Sequence, residues 1–136
     1  MPRPRTRTVN GVIYLTIWVY PDSAQGTCTF NGDPKYVTDT GNVILFKAAP
    51  QVHITMVAQG GYTFDPAKSI VISENLTHKG QVGYTPNNFS APVLKQHNTQ
   101  IEFDDDNRGN KHFYYTLNFI DPGGNQFSYD PIIVNN

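Results

Sequence analysis

The sequence predicts an all-β protein, and three observations lead to this prediction. Residues 12–20 alternate strictly, with aliphatic side chains at every second position and aromatic or polar side chains between them. A period of two is that of a β-strand and not of a helix. Similar runs recur between Gly and Pro turn signals along the chain, and the composition is rich in Tyr and Phe but holds only two Met. Any helix is therefore expected to be short.

Clusters of Gly, Pro, Asn and Asp, which favour turns, divide the chain into strands. The first strand ends at Pro21, and the longest irregular region covers residues 74–92. The predicted strands are residues 12–20, the segment around Cys28 and Phe30, and residues 43–46, 52–57, 62–64, 70–72, 100–103, 113–120 and 126–134. Roughly seven to nine short strands at this spacing favour a single-domain antiparallel β-sandwich, immunoglobulin-like or of a related Greek-key kind. A single sheet closed on itself is the alternative.

The C-terminal third carries the clearest local signal. Residues 113–120 and 126–134 are separated by a turn that contains Pro122, Gly123 and Gly124, which is typical of a β-hairpin. Pro131 predicts an edge strand or a bulge in the second of these strands. One face of the first strand is predicted to close the core, and its members are Phe113, Tyr115, Leu117 and Phe119. The opposite face is expected to look outward or towards a partner, and it holds Tyr114, Thr116 and Asn118.

Length and charge limit the domain organisation and the partners. A chain of 136 residues fits one domain with one core, predicted to cover residues 9–136. Residues 1–8 contain Arg3, Arg5 and Arg7 and are expected to form a flexible basic arm. The remainder has seven basic against eleven acidic side chains, a net charge of −4. A body of this charge lacks the basic face that nucleic-acid binding requires, so no nucleic-acid partner is expected.

Residues 104–110 form the densest charged cluster and are predicted to be a polar loop between strands. Hard oxygen ligands packed this closely could coordinate calcium, with Asp104, Asp106 and Asn107 as the candidate ligands. The spacing matches only the start of a helix-loop-helix calcium site, because Arg108 occupies a ligand position. Asp, Asn and Gly are also what an ordinary turn needs, so a plain turn is the other interpretation of this cluster.

No motif for catalysis or for a tightly bound cofactor stands out. Cys28 is the only cysteine, and the four histidines are far apart in sequence, so local spacing predicts neither a disulfide nor a zinc site, although the fold could assemble one. No serine lies in a G-x-S-x-G turn, and no Gly-rich loop has the spacing that phosphate binding requires. The sequence therefore predicts a protein that is not an enzyme.

The polar face of residues 12–20 offers a binding surface made of aromatic rings. Its candidate residues are Tyr14, Trp18 and Tyr20, together with Tyr114 from the C-terminal hairpin. Flat rings stack on sugars or fill subunit interfaces. The alternative is that this face is structural, either as the second half of the core or as a surface covered by a loop.

The C-terminal segment, residues 113–135, combines a Tyr-rich strand, a short hairpin and the ending Tyr129-Asp130-Pro131-Ile132-Ile133-Val134-Asn135. In these features it resembles the C-terminal end of small bacterial proteins grouped as the DP-EP family. The resemblance covers about the last quarter of the chain. It implies a compact β-sandwich in a bacterium and brings no activity, ligand or catalytic residue.

Taken together, the residues predict a binding or assembly module that associates with itself or with a protein partner through its aromatic face. The alternative is a calcium-dependent carbohydrate-binding, lectin-like protein that uses residues 104–110. The N-terminus has no recognisable signal peptide, and the apolar run at residues 12–19 is too short to cross a bilayer. A cytoplasmic location without membrane association is therefore expected.

Overall fold

The part of the chain that the structure describes consists of strands joined by turns. The computed structural model describes residues 6–45, 51–73, 89–106 and 112–135. These residues form strands and turns and no helix, which confirms the predicted all-β class. The strands are β1 (Thr6–Val9), β2 (Val12–Asp22), β3 (Thr27–Asn31), β4 (Val43–Leu45), β5 (Gln51–Ala58), β6 (Thr63–Phe64), β7 (Ile70–Ser73), β8 (Val93–Lys95), β9 (Gln100–Asp105), β10 (His112–Ile120), β11 (Gln126–Tyr129) and β12 (Ile132–Asn135).

β2 and β5 form the centre of the first sheet. They run parallel, from Val12 opposite Gln51 to Val19 opposite Ala58. β9 pairs with the other side of β5, and β8 pairs with β9, both antiparallel. β1 and β3 pair antiparallel with the first and second halves of β2 along its remaining side. The parallel pair at the centre departs from the purely antiparallel sheets expected from the sequence, because after β3 the chain leaves this sheet to form β4 in the second sheet and comes back to it as β5.

β10 forms the centre of the second sheet. β6 and β7 pair with one of its sides, and β11 and β12 pair with the other, all antiparallel. The predicted hairpin between β10 and β11 is confirmed, with Ile120 opposite Gln126. Pro131 separates β11 from β12, yet its carbonyl still accepts a hydrogen bond from the Tyr115 amide. β12 is not an edge strand, since β4 pairs with it in parallel.

The two sheets share one hydrophobic core. Residues of β2 with less than 10% exposure face inward and alternate with half-buried ones, as the sequence predicts. The core face predicted for β10 is confirmed, because all four of its members are fully buried. Rings from different segments meet there, with 4.8 Å between the centroids of Phe89 and Phe113 and 5.8 Å between those of Phe30 and Tyr129. Each large apolar side chain buried in this way stabilises the fold by about 1.5–3 kcal/mol.

Two residues of β10 that were expected to face outward are buried. Thr116 is 6% exposed and Asn118 is 8% exposed. The Asn118 side-chain amide donates to the Lys68 carbonyl over 2.7 Å, and its oxygen accepts from the Ser128 hydroxyl over 2.6 Å. A polar side chain that satisfies both its donor and its acceptor in this way can be buried, which sequence alternation alone does not reveal.

The last residues of the predicted basic arm belong to a strand. Residues 6–8, which the sequence places in the basic arm, belong to β1 and pair with β2, from Thr6 opposite Leu15 to Val9 opposite Val12. Asn10 and Gly11 make the turn, both with positive φ angles of 51° and 80°. Positive φ is accessible to Asn and Gly at low cost, so this dipeptide closes a two-residue hairpin. Arg7 therefore lies on the sheet, while Arg3 and Arg5 fall outside the described residues.

Gly41 lies in the connection between β3 and β4 and contacts the core side of the second sheet. Its carbonyl accepts a hydrogen bond from the hydroxyl of Tyr115, which is fully buried. Gly41 has a φ of 90°, and a Cβ atom there would lie 2.5 Å from Cε1 of Phe30. Both the backbone conformation and the space around it require glycine.

We expect Gly41→Ala to lower the free energy of unfolding by more than Gly26→Ala does. Gly26 also has a positive φ, 67°, but no atom lies within 4 Å of its Cβ position, so Gly26→Ala carries only the backbone cost of about 1 kcal/mol. In Gly41→Ala the new methyl group also clashes with the Phe30 ring, which lowers the free energy of unfolding by a further ~1–3 kcal/mol. Urea unfolding of both variants measures the difference, and equal losses would show that the core adapts to the methyl group without cost.

Cys28 faces the core from β3 and is 5% exposed. Burial disfavours the thiolate and raises the pKa of Cys28 to about 12. We therefore expect no reaction with a disulfide reagent in the folded protein at pH 8, and rapid reaction of one thiol per chain in denaturant. Absorbance of the thiolate released from the reagent measures both reactions. Rapid labelling of Cys28 without denaturant would contradict its burial.

Candidate functional site

The side of the first sheet that points away from the core carries half-buried and exposed side chains. We use the term outer face for the half-buried and exposed side chains that point away from the core on β1, β2, β5, β9 and β8. Strand register places them in cross-strand rows. One row runs from Arg7 to Tyr14, His53 and Asp104, and the next from Thr16 to Thr55, Glu102 and Val93.

His53 lies between two carboxylates at the centre of the outer face. Its Nδ1 is 2.8 Å from Oδ1 of Asp104, which lies directly opposite on β9. Its Nε2 is 2.9 Å from Oε1 of Glu102, which lies two residues before Asp104 on the same face of β9. Glu102 also accepts from Lys95, with 2.7 Å between Nζ and Oε2. We call His53, Glu102, Asp104 and Lys95 the ionic cluster.

The ionic cluster favours the charged forms of His53 and Glu102. Burial disfavours the imidazolium of His53, but hydrogen bonds and attraction from Glu102 and Asp104 outweigh this effect and raise the pKa of His53 above its ordinary value of 6.5. Burial also disfavours the carboxylate of Glu102, yet hydrogen bonds from Lys95, His53 and Gln100 lower its pKa below 4.5. A protonated His53 donates from both ring nitrogens, one to each carboxylate.

A small pocket opens beside the ionic cluster. Its volume is about 330 Å³, and it is lined by Arg7, Tyr14, Thr16, His53, Thr55 and Glu102. The Tyr14 ring forms one wall, with its centroid 5.3 Å from that of His53 at an interplanar angle of 47°. The Arg7 guanidinium lies over the same ring, with Cζ 5.3 Å from the centroid. The pocket therefore combines an aromatic wall with cationic, anionic and hydroxyl groups.

Three of the four predicted aromatic residues lie together on the outer face. Tyr14, Trp18 and Tyr20 alternate with buried residues along β2 and are half-buried. They do not form the second half of the core, which fills the opposite face of β2. Trp18 Nε1 is buried and has no hydrogen-bond partner among the described residues. Tyr114 is not part of this surface, because it lies on β10 in the second sheet, opposite Ser73.

The segment predicted to be a calcium-binding loop, residues 104–110, begins inside a strand. Asp104 and Asp105 are the last residues of β9, so their side chains point to opposite faces. Asp104 accepts from His53, Asp105 is buried with no exposure, and Asp106 is half-buried. Asn107 lies outside the described residues. Within the ranges that the structure describes, no three His, Cys, Asp or Glu side chains are grouped so that they could hold a metal ion. The calcium site stays a prediction.

Sequence analysis missed the ionic cluster and the pocket. Alternation in residues 100–105 places Glu102 and Asp104 on one face, and this signal was available. It could not identify His53 as their partner, because about fifty residues separate the two segments and only the register of β5 against β9 joins them. Lys95 lay in a segment for which no strand was predicted.

Comparison with known proteins finds no protein-family model that matches the chain and no matching curated protein. The resemblance to the DP-EP family therefore stays a prediction. In the described part of the chain, no helix is long and apolar enough to cross a membrane.

We expect His53 to stabilise the folded protein more at pH 6 than at pH 9. A histidine whose pKa is raised on folding contributes its full stabilisation below its unfolded pKa and loses it as the pH rises through its folded pKa, here above 6.5. The difference in melting temperature between the wild type and His53→Gln should therefore narrow from pH 6 to pH 9. Differential scanning fluorimetry at constant ionic strength measures it.

His97→Gln is the matched control for this experiment, because His97 is exposed in the turn between β8 and β9 and forms no ion pair with a described residue. The difference in melting temperature between the wild type and His97→Gln should stay constant from pH 6 to pH 9. A constant difference for His53→Gln as well would contradict the charged state assigned to the ionic cluster.

Proposed function

We propose that the protein is a non-enzymatic binding or assembly module, and that a second copy of the chain binds to the Trp18 and Tyr20 end of its outer face. The observation that carries this proposal is the position of Trp18. It lies half-buried on the face of β2 that points away from the core, so part of its indole ring is available to a partner. An aromatic ring of this size, left partly exposed on a sheet face, is typical of a protein interface.

The shape of the surface also favours association with a macromolecule. Trp18 is flanked by Asn31 on β3 and Val57 on β5, and these strands form a continuous sheet surface. Tryptophan and tyrosine are enriched in protein interfaces because they bury a large apolar area while losing few rotamers. The pocket that would suit a small ligand lies beside Tyr14, at the other end of the face.

Charge favours a second copy of the chain over a strongly charged partner. Within the ionic cluster, the two cations His53 and Lys95 balance the two anions Glu102 and Asp104. Two copies that meet through such a face do not repel each other, as faces of one sign would. The face also offers little to a polyanion, which would need an excess of Lys and Arg.

The contacts of His53 support binding and not catalysis. A general base needs a nitrogen with a free lone pair, whereas both ring nitrogens of His53 contact carboxylates. Thr16 and Thr55 line the pocket beside His53, and neither forms a hydrogen bond with His53 in the described residues. The lectin-like alternative is not advanced, because Asp104 is engaged by His53 and no described observation favours calcium.

The oligomeric state tests this proposal. We expect the wild-type protein to be a dimer at ~100 μM in light scattering coupled to size exclusion, and Trp18→Ala to be monomeric there. Loss of an interface tryptophan weakens association by about thirtyfold or more, which corresponds to ~2 kcal/mol.

Tyr114→Ala is the matched control, because it removes an aromatic ring from the outer side of the second sheet. This variant should remain dimeric, and the melting temperature of each variant shows that it is folded at the temperature used. A wild-type protein that is monomeric at every concentration would refute the proposal. A Trp18→Ala variant that is folded and dimeric would refute the proposed surface.

A further inference from the structure

We infer that the pocket beside the ionic cluster binds a small hydroxylated monocarboxylate, such as an acidic monosaccharide. This inference does not depend on self-association. The pocket lies at the β1 end of the outer face, and Trp18 lies four residues beyond Tyr14 along β2, about 13 Å away at the rise of a β-strand. Its volume of about 330 Å³ is at the small end of the range for ligand pockets, which restricts the ligand to roughly one sugar ring.

The charge of the pocket calls for an anion. Lys95 and His53 neutralise Glu102 and Asp104 through ion pairs of 2.7–2.9 Å. Arg7 also lines the pocket, and it has no ion-pair partner among the described residues. The surplus is thus a single positive charge, held against the Tyr14 ring. A guanidinium presents parallel N–H groups that match a carboxylate, so one carboxylate neutralises the site.

The remaining polar groups of the pocket call for hydroxyl groups on the ligand. Thr16 and Thr55 are cross-strand neighbours, both half-buried, and neither hydroxyl forms a hydrogen bond within the described part of the chain. Each can donate one hydrogen bond and accept another. The Glu102 carboxylate lines the same pocket and accepts hydrogen bonds. An apolar anion would leave these groups without partners, whereas a polyol carboxylate satisfies them.

D-Glucuronate is a suitable probe, with D-glucose and acetate as comparisons. Glucose keeps the hydroxyl groups and lacks the carboxylate, and acetate does the reverse. We expect saturable binding of glucuronate at pH 6.5 in a titration followed by ¹H–¹⁵N NMR, with the largest shifts at Arg7, Thr16 and Thr55. Glucose and acetate should bind at least about tenfold more weakly.

Two variants locate the site. Arg7→Gln should weaken glucuronate binding by at least about tenfold, because it removes the charge-assisted hydrogen bonds. Thr55→Val keeps the shape and β propensity of the strand and should weaken binding by about three- to tenfold. Lys35→Gln is the control for charge, since Lys35 also lies over a tyrosine ring, 5.5 Å from the centroid of Tyr36, but outside the pocket. It should bind like the wild type.

The inference is overturned if glucuronate shows no saturable binding, if glucose or acetate binds as tightly, or if Arg7→Gln and Lys35→Gln bind equally. These outcomes are independent of the dimer, because the titration is read at the backbone amides of the pocket and the oligomeric state is measured separately by light scattering. A monomeric protein that binds glucuronate would refute self-association and support the pocket.

Discussion

Eight residue pairs join β2 to β5 in parallel, and this register decides which side chains meet on each face of the first sheet. A strand has a period of two, so a shift by one residue would turn the aliphatic residues of β2 to solvent and its aromatic residues to the core. The free energy of burying Leu15 and Ile17 therefore fixes the outer face as well as the core. Tyr14 meets His53, and Thr16 meets Thr55, in this register.

The same constraint explains why charged groups accumulate at one place on the outer face. β9 presents Glu102 and Asp104 on the face where β5 presents His53. Two carboxylates this close would repel each other, and the imidazolium between them removes that repulsion while it satisfies an oxygen of each. Lys95 occupies a second oxygen of Glu102 from the neighbouring strand. The cluster is thus a consequence of the strand order β2, β5, β9, β8.

Local patterns were sufficient to predict the class of fold and several of its elements. Residues 12–20 and 113–120 show alternation strong enough to assign both the strand and its buried face, and the turn at Gly123 and Gly124 identified a hairpin. Patterns failed where a distant segment changed the environment. Asn118 is buried because Lys68 and Ser128 supply its hydrogen bonds, and Asp104 is a strand residue because β5 pairs with it. Three acidic residues in succession favour a loop when no partner strand is known.

The candidate site was predictable only in part for the same reason. Trp18 and its aromatic neighbours could be placed on one face from β2 alone, since they belong to a single strand. Tyr114 was grouped with them by residue type, although its strand belongs to the other sheet. The pocket required residues from four strands, and Arg7 could enter it only because residues expected to form an arm pair with β2 instead. Pairing between strands carries this information, and single-strand periodicity does not.

The parallel pairing of β12 with β4 has a consequence for the order of events during synthesis. β4 covers residues 43–45, and its partner covers residues 132–135, so nearly ninety residues must leave the ribosome between them. One side of β10 also stays unpaired until β11 and β12 are made, because these two strands pair along that side. The first sheet can assemble once β9 has emerged, whereas Val43 and Phe113 lack their pairing partner in the second sheet until Ile133 is made. Such long-range closure is slow, and the half-built chain exposes strand edges on which a chaperone would act.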